Sequence, residues 1–298
     1  MSDALFVPSG DAWLPTELAR GPWSPDALHG GPVAALVARA VEGCEADPAM
    51  HVARLTVELL RPVPLADLQL SAAVTRPGRK VQVVECSVAA QGQPVAWARA
   101  VRIRTRPAPA PSSFDPPPVE PGAAVSGPGA ARADAALVVG AGPSPTPTPI
   151  PGVDPRAPRL PEVGQRTPSF ESGYRGFHNA GAELRFVSGR FDELGPSQVW
   201  VRLAVPVVPG EEPSPLQRAA GAADFGNGVS AVLPFDGWVF INPDLTVALE
   251  RPPVGEWVCL DAATRLGPPG VALAHSTLWD TQGRVGFACQ NLVVEPRP

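Results

Sequence analysis

Lysine is almost missing from this 298-residue chain: Lys80 is the single lysine among 24 basic residues, and the formal net charge is -5. No basic run exists to hold a polyanion, so nucleic acid and anionic membrane surfaces are excluded as expected partners. Cysteine is scarce too. Cys44, Cys86, Cys259 and Cys289 lie far apart, with no CxxC pair and no histidine at ligand spacing, which argues against a metal centre or a disulfide framework and for buried reduced thiols. Long apolar runs are absent, and none approaches the roughly 18 residues of a membrane span. The start, Met1-Ser-Asp-Ala4, has no basic stretch ahead of an apolar one. These absences predict a cytoplasmic protein without metal or cofactor.

Proline is what the chain has in excess. Its 40 prolines make up about 13% of the residues, against a usual share of about 5%. Seventeen of them fall between Pro107 and Pro168, including Pro116-Pro-Pro118 and the alternating stretch from Pro143 to Pro149. Proline lacks the N–H a ladder needs and favours extended conformations, so 107–168 is expected to be a linker between domains at 1–106 and 169–298. Within it, Ala130 to Val139 is the one stretch with the composition of a short element, and none is assigned.

The flanks of the linker are repeats of each other. Leu55-Thr-Val-Glu-Leu-Leu-Arg-Pro62 matches Leu245-Thr-Val-Ala-Leu-Glu-Arg-Pro252 at six of eight positions, 190 residues apart. Leu70 to Ala73 then faces Leu260 to Ala263, and a Gln91-Gly92 turn faces Gln282-Gly283 if one residue is inserted. Leu55, Val57 and Leu59 alternate with polar neighbours, as do Leu245, Val247 and Leu249; a period of two marks strands with one buried face. Runs at 81–89 and 95–103, and at 271–279 and 285–294, extend each repeat into an antiparallel meander. Strands at 182–187 and 198–205 precede it in the second repeat. One helix stands ahead of each meander. The first spans Pro32 to Val41, directly after His29-Gly-Gly31; the second opens at Ser214-Pro-Leu-Gln217, a capping-box pattern with proline at the first helical position, and is interrupted by Gly226 and Gly228.

One helix followed by an antiparallel sheet, twice over, is the order of an α+β double hotdog, in which each sheet wraps a central helix. The segments His29 to Leu36, Leu55 to Pro62, Asp224-Phe-Gly-Asn-Gly228, Asn242 to Val247, Arg251 to Trp257 and Gln290 to Val294 resemble, in order and spacing, those of the acyl-CoA thioesterase II type of double-hotdog proteins. The resemblance implies hydrolysis of acyl-CoA by a water held between an aspartate, a Thr or Asn, and a glutamine. Those catalytic roles fall on Asp224, Asn242 and Gln290, with His29, Gly30 and Gly31 as substrate-binding residues and one site near the junction of the repeats. It also implies a homo-oligomer.

The residues themselves leave alternatives open. Asp224 also fits an ordinary helix N-cap. Asn242, where some relatives carry threonine, fits a turn before Pro243. Gln290 sits in an apolar strand and needs a partner, and its counterpart is read as Arg99. His29 is either the geometry of helix entry or a substrate contact; the acid that single-hotdog thioesterases carry further along this helix is absent at Ala38. Trp23, Trp238 and Trp257 suit core or acyl-pocket walls. Arg61 and Arg251 suit a structural salt bridge in each repeat or a contact to a CoA phosphate. Thr246 has its repeat partner in Thr56 and reads as structural. Two other functions stand beside hydrolysis: a silent acyl-CoA or acyl-carrier binding module, and a hydratase or dehydratase. The latter pairs an acid with a histidine, and here that pair is Asp224 with His29.

Overall fold

The computed structural model describes residues 4–44, 50–107, 156–167 and 172–297. Both repeats fall in one compact unit, Met1–Thr105 with Arg156–Pro298. Most of the expected linker, including 130–139, lies outside the described residues. Its far end belongs to the second repeat: the Arg159 carbonyl accepts from Trp200 Nε1 at 2.7 Å, and Gln165 bridges Phe186. The boundary expected at 169 therefore moves back to 156.

The first repeat runs β1 (Phe6–Ser9), β2 (Ala12–Pro15), α1 (Gly30–Gly43), β3 (Met50–Leu59), β4 (Leu68–Arg76), β5 (Val81–Ala90) and β6 (Gln93–Arg104). The second runs β7 (Ala182–Ser188), β8 (Ser197–Leu203), α2 (Pro215–Ala223), α3 (Gly226–Val229), β9 (Trp238–Ile241), β10 (Asp244–Leu249), β11 (Val258–Leu266), β12 (Val271–Asp280) and β13 (Gly283–Pro296). Apart from β9, which pairs with β13, the strands form one path in the order β1-β2-β4-β5-β6-β3-β10-β13-β12-β11-β8-β7. The two meanders are therefore a single sheet, joined where β3 meets β10.

That junction explains the repeat. β3 and β10 pair antiparallel with Thr56 opposite Thr246, and their Oγ1 atoms lie 3.1 Å apart. A residue paired with its own repeat counterpart marks a local two-fold axis, so the structural reading of the two threonines holds. The same ladders correct the alignment. Ala90 pairs with Gln93 and Asp280 with Gly283, which keeps the offset at 190 through the turn with no inserted residue. Thr56 faces Arg99 and Thr246 faces Cys289, so the counterpart of Gln290 is Ala100 rather than Arg99.

The helices lie inside the curve of the sheet. α1 is apolar nearly all round, and 32–38 with Val41 are buried, as befits a core helix; Pro32 sits in the first turn, where no N–H is needed. Ser214 Oγ caps α2 by accepting from Gln217 N at 3.1 Å. The Gln217 side chain turns away from the cap to Glu42 Oε2 at 3.4 Å, and Ser214 Oγ donates to the same oxygen at 2.6 Å. The end of α1 thus meets the start of α2, and the helices run antiparallel. The interruption expected at Gly226 and Gly228 is instead the short helix α3. All four cysteines are free thiols.

Offset equivalence fails instructively at Gly286, the counterpart of Ala96. Gly286 has φ +155, and a Cβ there would stand 2.0 Å from the Ala248 carbonyl oxygen. Gly286→Ala is expected to destabilise the protein by about 3 kcal/mol or more in urea unfolding, although the first repeat carries alanine at this place. An unchanged unfolding midpoint would contradict the tight β10–β13 approach.

Candidate active site

The chain order scatters Asp224, Asn242 and Gln290, and the fold brings them together. Asp224 closes α2 with helical dihedrals, φ -70 and ψ -12. It is no N-cap, contrary to one reading of the sequence: α3 begins after Phe225 without a side-chain cap. Because the helices are antiparallel, its carboxylate meets the first turn of α1 from the other repeat. Oδ2 lies 2.8 Å from His29 Nδ1. A Cβ on Gly30 would stand 2.7 Å from the same oxygen, so glycine is what lets the carboxylate approach the helix so closely.

Asn242 lies between β9 and β10, where the chain turns at Pro243. Its Nδ2 donates to Asp224 Oδ1 at 2.9 Å and to the Asp244 carbonyl at 3.0 Å. It is a turn residue and a ligand of the carboxylate at once. Gln290 points inward from β13 and is buried. Its Nε2 donates to Asp224 Oδ1 at 3.2 Å and to the Asp224 carbonyl at 3.3 Å, while its Oε1 accepts from Asn227 N at 3.1 Å. One carboxylate oxygen thus takes two amide donors and the other takes the imidazole.

His29 is the N-cap of α1, and its Nδ1 also lies 3.1 Å from Gly31 N. An unprotonated Nδ1 facing a carboxylate at 2.8 Å would be repulsive, so the proton belongs on Nδ1, directed at Asp224, and the Gly31 N–H serves the carboxylate. The helix-entry reading of His29 holds in this geometry. Its ring is held by Phe177 and Phe225, with centroids 5.1 and 4.8 Å away. Burial alone pushes the Asp224 carboxyl up; the charge and hydrogen bond of His29, with the hydrogen bonds of Asn242 and Gly31, outweigh it and hold the group below the ordinary carboxylate range.

Asp224, Asn242 and His29 stand on the wall of a cavity of about 360 Å³. Apolar walls come from both repeats, with Trp23, Leu59 and Val63 from the first and Ile241 and Val293 from the second. Trp23 is backed by Phe240 and Phe235 at 5.5 and 6.0 Å, whereas Trp257 lies under Arg185 and Arg202. Of the three tryptophans singled out in the sequence, Trp23 is the pocket wall. Asn227 was not singled out; it is buried, lines the cavity and fixes Gln290. Its signal was the polar residue between two glycines of Asp224-Phe-Gly-Asn-Gly228. Among the described residues the salt bridge expected for both arginines forms for Arg251 alone, with Asp280, because the counterpart of Asp280 is Ala90.

Two family models match, the acyl-CoA thioesterase N-terminal domain over residues 19–103 and the acyl-CoA thioesterase C-terminal domain over residues 153–294. The chain belongs to the acyl-CoA thioesterase family. It is a thioester hydrolase with a double-hotdog fold. Solved structures agree on the fold. A hot-dog protein of Alicyclobacillus acidocaldarius is similar at 15% identity and TM-score 0.62, over 99% of this chain and 97% of that one. A candidate thioesterase II of Thermobifida fusca is similar at 17% identity and TM-score 0.64, over 99% and 98%. An acyl-CoA thioesterase II of Mycobacterium marinum is similar at 16% identity and TM-score 0.55, over 97% and 94%. No curated protein sequence matches the chain.

The depressed Asp224 carboxyl has a consequence for stability. Its folded value lies below the unfolded one, so its contribution is full above about pH 3.9 and is lost as pH falls through the folded value. Asp224→Asn is expected to lower stability at pH 7 by about 3 kcal/mol, since it removes the buried negative charge and turns the oxygen that faces His29 Nδ1 into an NH2 donor. Urea unfolding of both proteins from pH 7 downward checks this: the gap should close on acidification, and a gap independent of pH would contradict it.

Proposed function

We propose that this thioesterase hydrolyses acyl-CoA, with Asp224 as base toward a water that Asn242 and Gln290 help to position. The observation that carries this reading is the convergence of two side-chain amides on one oxygen of a buried carboxylate at the wall of an apolar cavity. A thioester carbonyl is electrophilic enough for direct attack by water. The water oxygen bonds to the carbonyl carbon as its proton passes to Asp224. The tetrahedral intermediate then collapses, the C–S bond breaks, and the thiolate recovers the proton. The Gly30 N–H and the positive end of α1 favour the developing oxyanion. The Gly31 N–H, expected beside it as a substrate contact, serves the Asp224 carboxylate instead. Such a reaction suits a cytoplasmic homo-oligomer in lipid metabolism.

Asp224→Asn is expected to lower kcat for thiol release from acyl-CoA by at least about 100-fold. Asn242→Ala and Gln290→Ala should each cost about tenfold or more, mainly in kcat, because they orient groups rather than bind substrate. Absence of thiol release by the unaltered protein across short, medium and long acyl chains would sink the reading. Since Asp224 must be ionised and is held below the carboxylate range, kcat/KM should persist on acidification to below about pH 4. An acid limb well above the carboxylate range would contradict Asp224 as the base.

A second reading, addition of water to a conjugated acyl double bond, is favoured by the 2.8 Å contact of His29 with Asp224. Incubation with an enoyl-CoA separates the two: hydrolysis releases thiol and leaves the double bond, whereas hydration removes the double bond and releases no thiol.

A further inference from the structure

Arg61 and Arg251 end equivalent strands 190 residues apart, yet their surroundings have diverged. Arg251 is tied down: its Nη2 donates to Asp280 Oδ1 at 2.7 Å and to the Gly283 carbonyl at 3.1 Å. Asp280 is buried and also accepts from Val254 N at 2.7 Å and Gln282 N at 2.8 Å. The first repeat lacks that arrangement. The constant offset places Ala90 where Asp280 stands, and Pro64, which has no N–H, where Val254 donates. Arg61 makes no ion pair and no side-chain hydrogen bond among the described residues. It is exposed, and it lies on the wall of the cavity that holds Asp224.

A guanidinium without a structural acid on the wall of a substrate cavity is a binding group for an anion. The cavity wall otherwise carries one carboxylate, Asp224, and a substrate with its own negative charge needs a cation to enter beside it. We propose that Arg61 recognises an anionic group of the substrate and thereby sets specificity, a role that rests on the hydrolytic reading of the site. The group is either a phosphate of CoA or a carboxylate at the far end of the acyl chain. Both offer the oxygen pair that a guanidinium binds.

Two substrate pairs separate the sources. The first compares an acyl-CoA with the same acyl group on N-acetylcysteamine, which lacks phosphate; the second compares an acyl-CoA with its ω-carboxyacyl counterpart. In Arg61→Gln the kcat/KM ratio of one pair is expected to fall about tenfold against the anionic member, with the change in KM. The pair that responds identifies the anion. Ala90→Asp, which rebuilds the acid found at Asp280, should shift the same ratio in the same direction by recapturing Arg61. If neither ratio moves in Arg61→Gln, the proposal is overturned whatever Ala90→Asp does. The same ratios measured as affinities of hydrolysis-inert thioethers keep the two claims apart. A shifted affinity ratio without any turnover would support Arg61 and overturn the hydrolytic reading, and turnover with unshifted ratios would do the reverse.

Discussion

Everything in the site depends on keeping one carboxylate ionised away from water. Asp224 is buried, and an unpaired buried carboxylate would protonate or unfold its surroundings. It stays charged because the N-terminal turn of α1 and His29 meet it from one repeat while Asn242 and Gln290 meet it from the other. Neither repeat alone supplies the set. The continuous sheet across β3 and β10 and the antiparallel contact of α1 with α2 hold those two contributions in register.

The same dependence explains why the duplication leaves one such cluster. By the constant offset, Asn242 falls on Val52 and Gln290 on Ala100. The first repeat therefore has no amides at the places from which the second repeat grips its carboxylate. At the opposite end of the helix pair stands the exposed Glu42, held by Ser214 and Gln217, and partial desolvation pushes its carboxyl up rather than down. The two carboxyls thus shift in opposite directions, and of the two it is the buried Asp224 that faces an imidazole. There is a cost at Asp224: donors that hold it ionised also weaken it as a base, so positioning of water must supply more of the rate than proton abstraction.

Much of this was legible in the sequence. The alternating strands, the repeat and the helix start at Pro215 follow from local patterns that tertiary contacts reinforce, whereas α1 starts at Gly30, two residues ahead of the start expected at Pro32. Asp224, Asn242 and Gln290 were found through a resemblance, and their convergence was not readable from spacing, because they stand 18 and 48 positions apart with several loops between them. The inserted residue at the Gln-Gly turns was an error of matching letters: the paired strands keep offset 190, and the turn of the second repeat is Thr281-Gln282. Asp224 read as an N-cap for a similar reason. A carboxylate near a helix start does fit its surroundings, but the start belongs to α1, nearly two hundred positions away. Asn227 gave almost no signal, since its part is played through a backbone N–H that any residue has.

The central claim is that water, held by Asp224, attacks the thioester directly. A single turnover in oxygen-18 water, with mass analysis of both the released acid and the peptide containing Asp224, tests it most directly. The account predicts one heavy oxygen in the acid and none in the Asp224 carboxylate. An unlabelled acid together with label retained on Asp224 would mean that the carboxylate itself had attacked, and would contradict it.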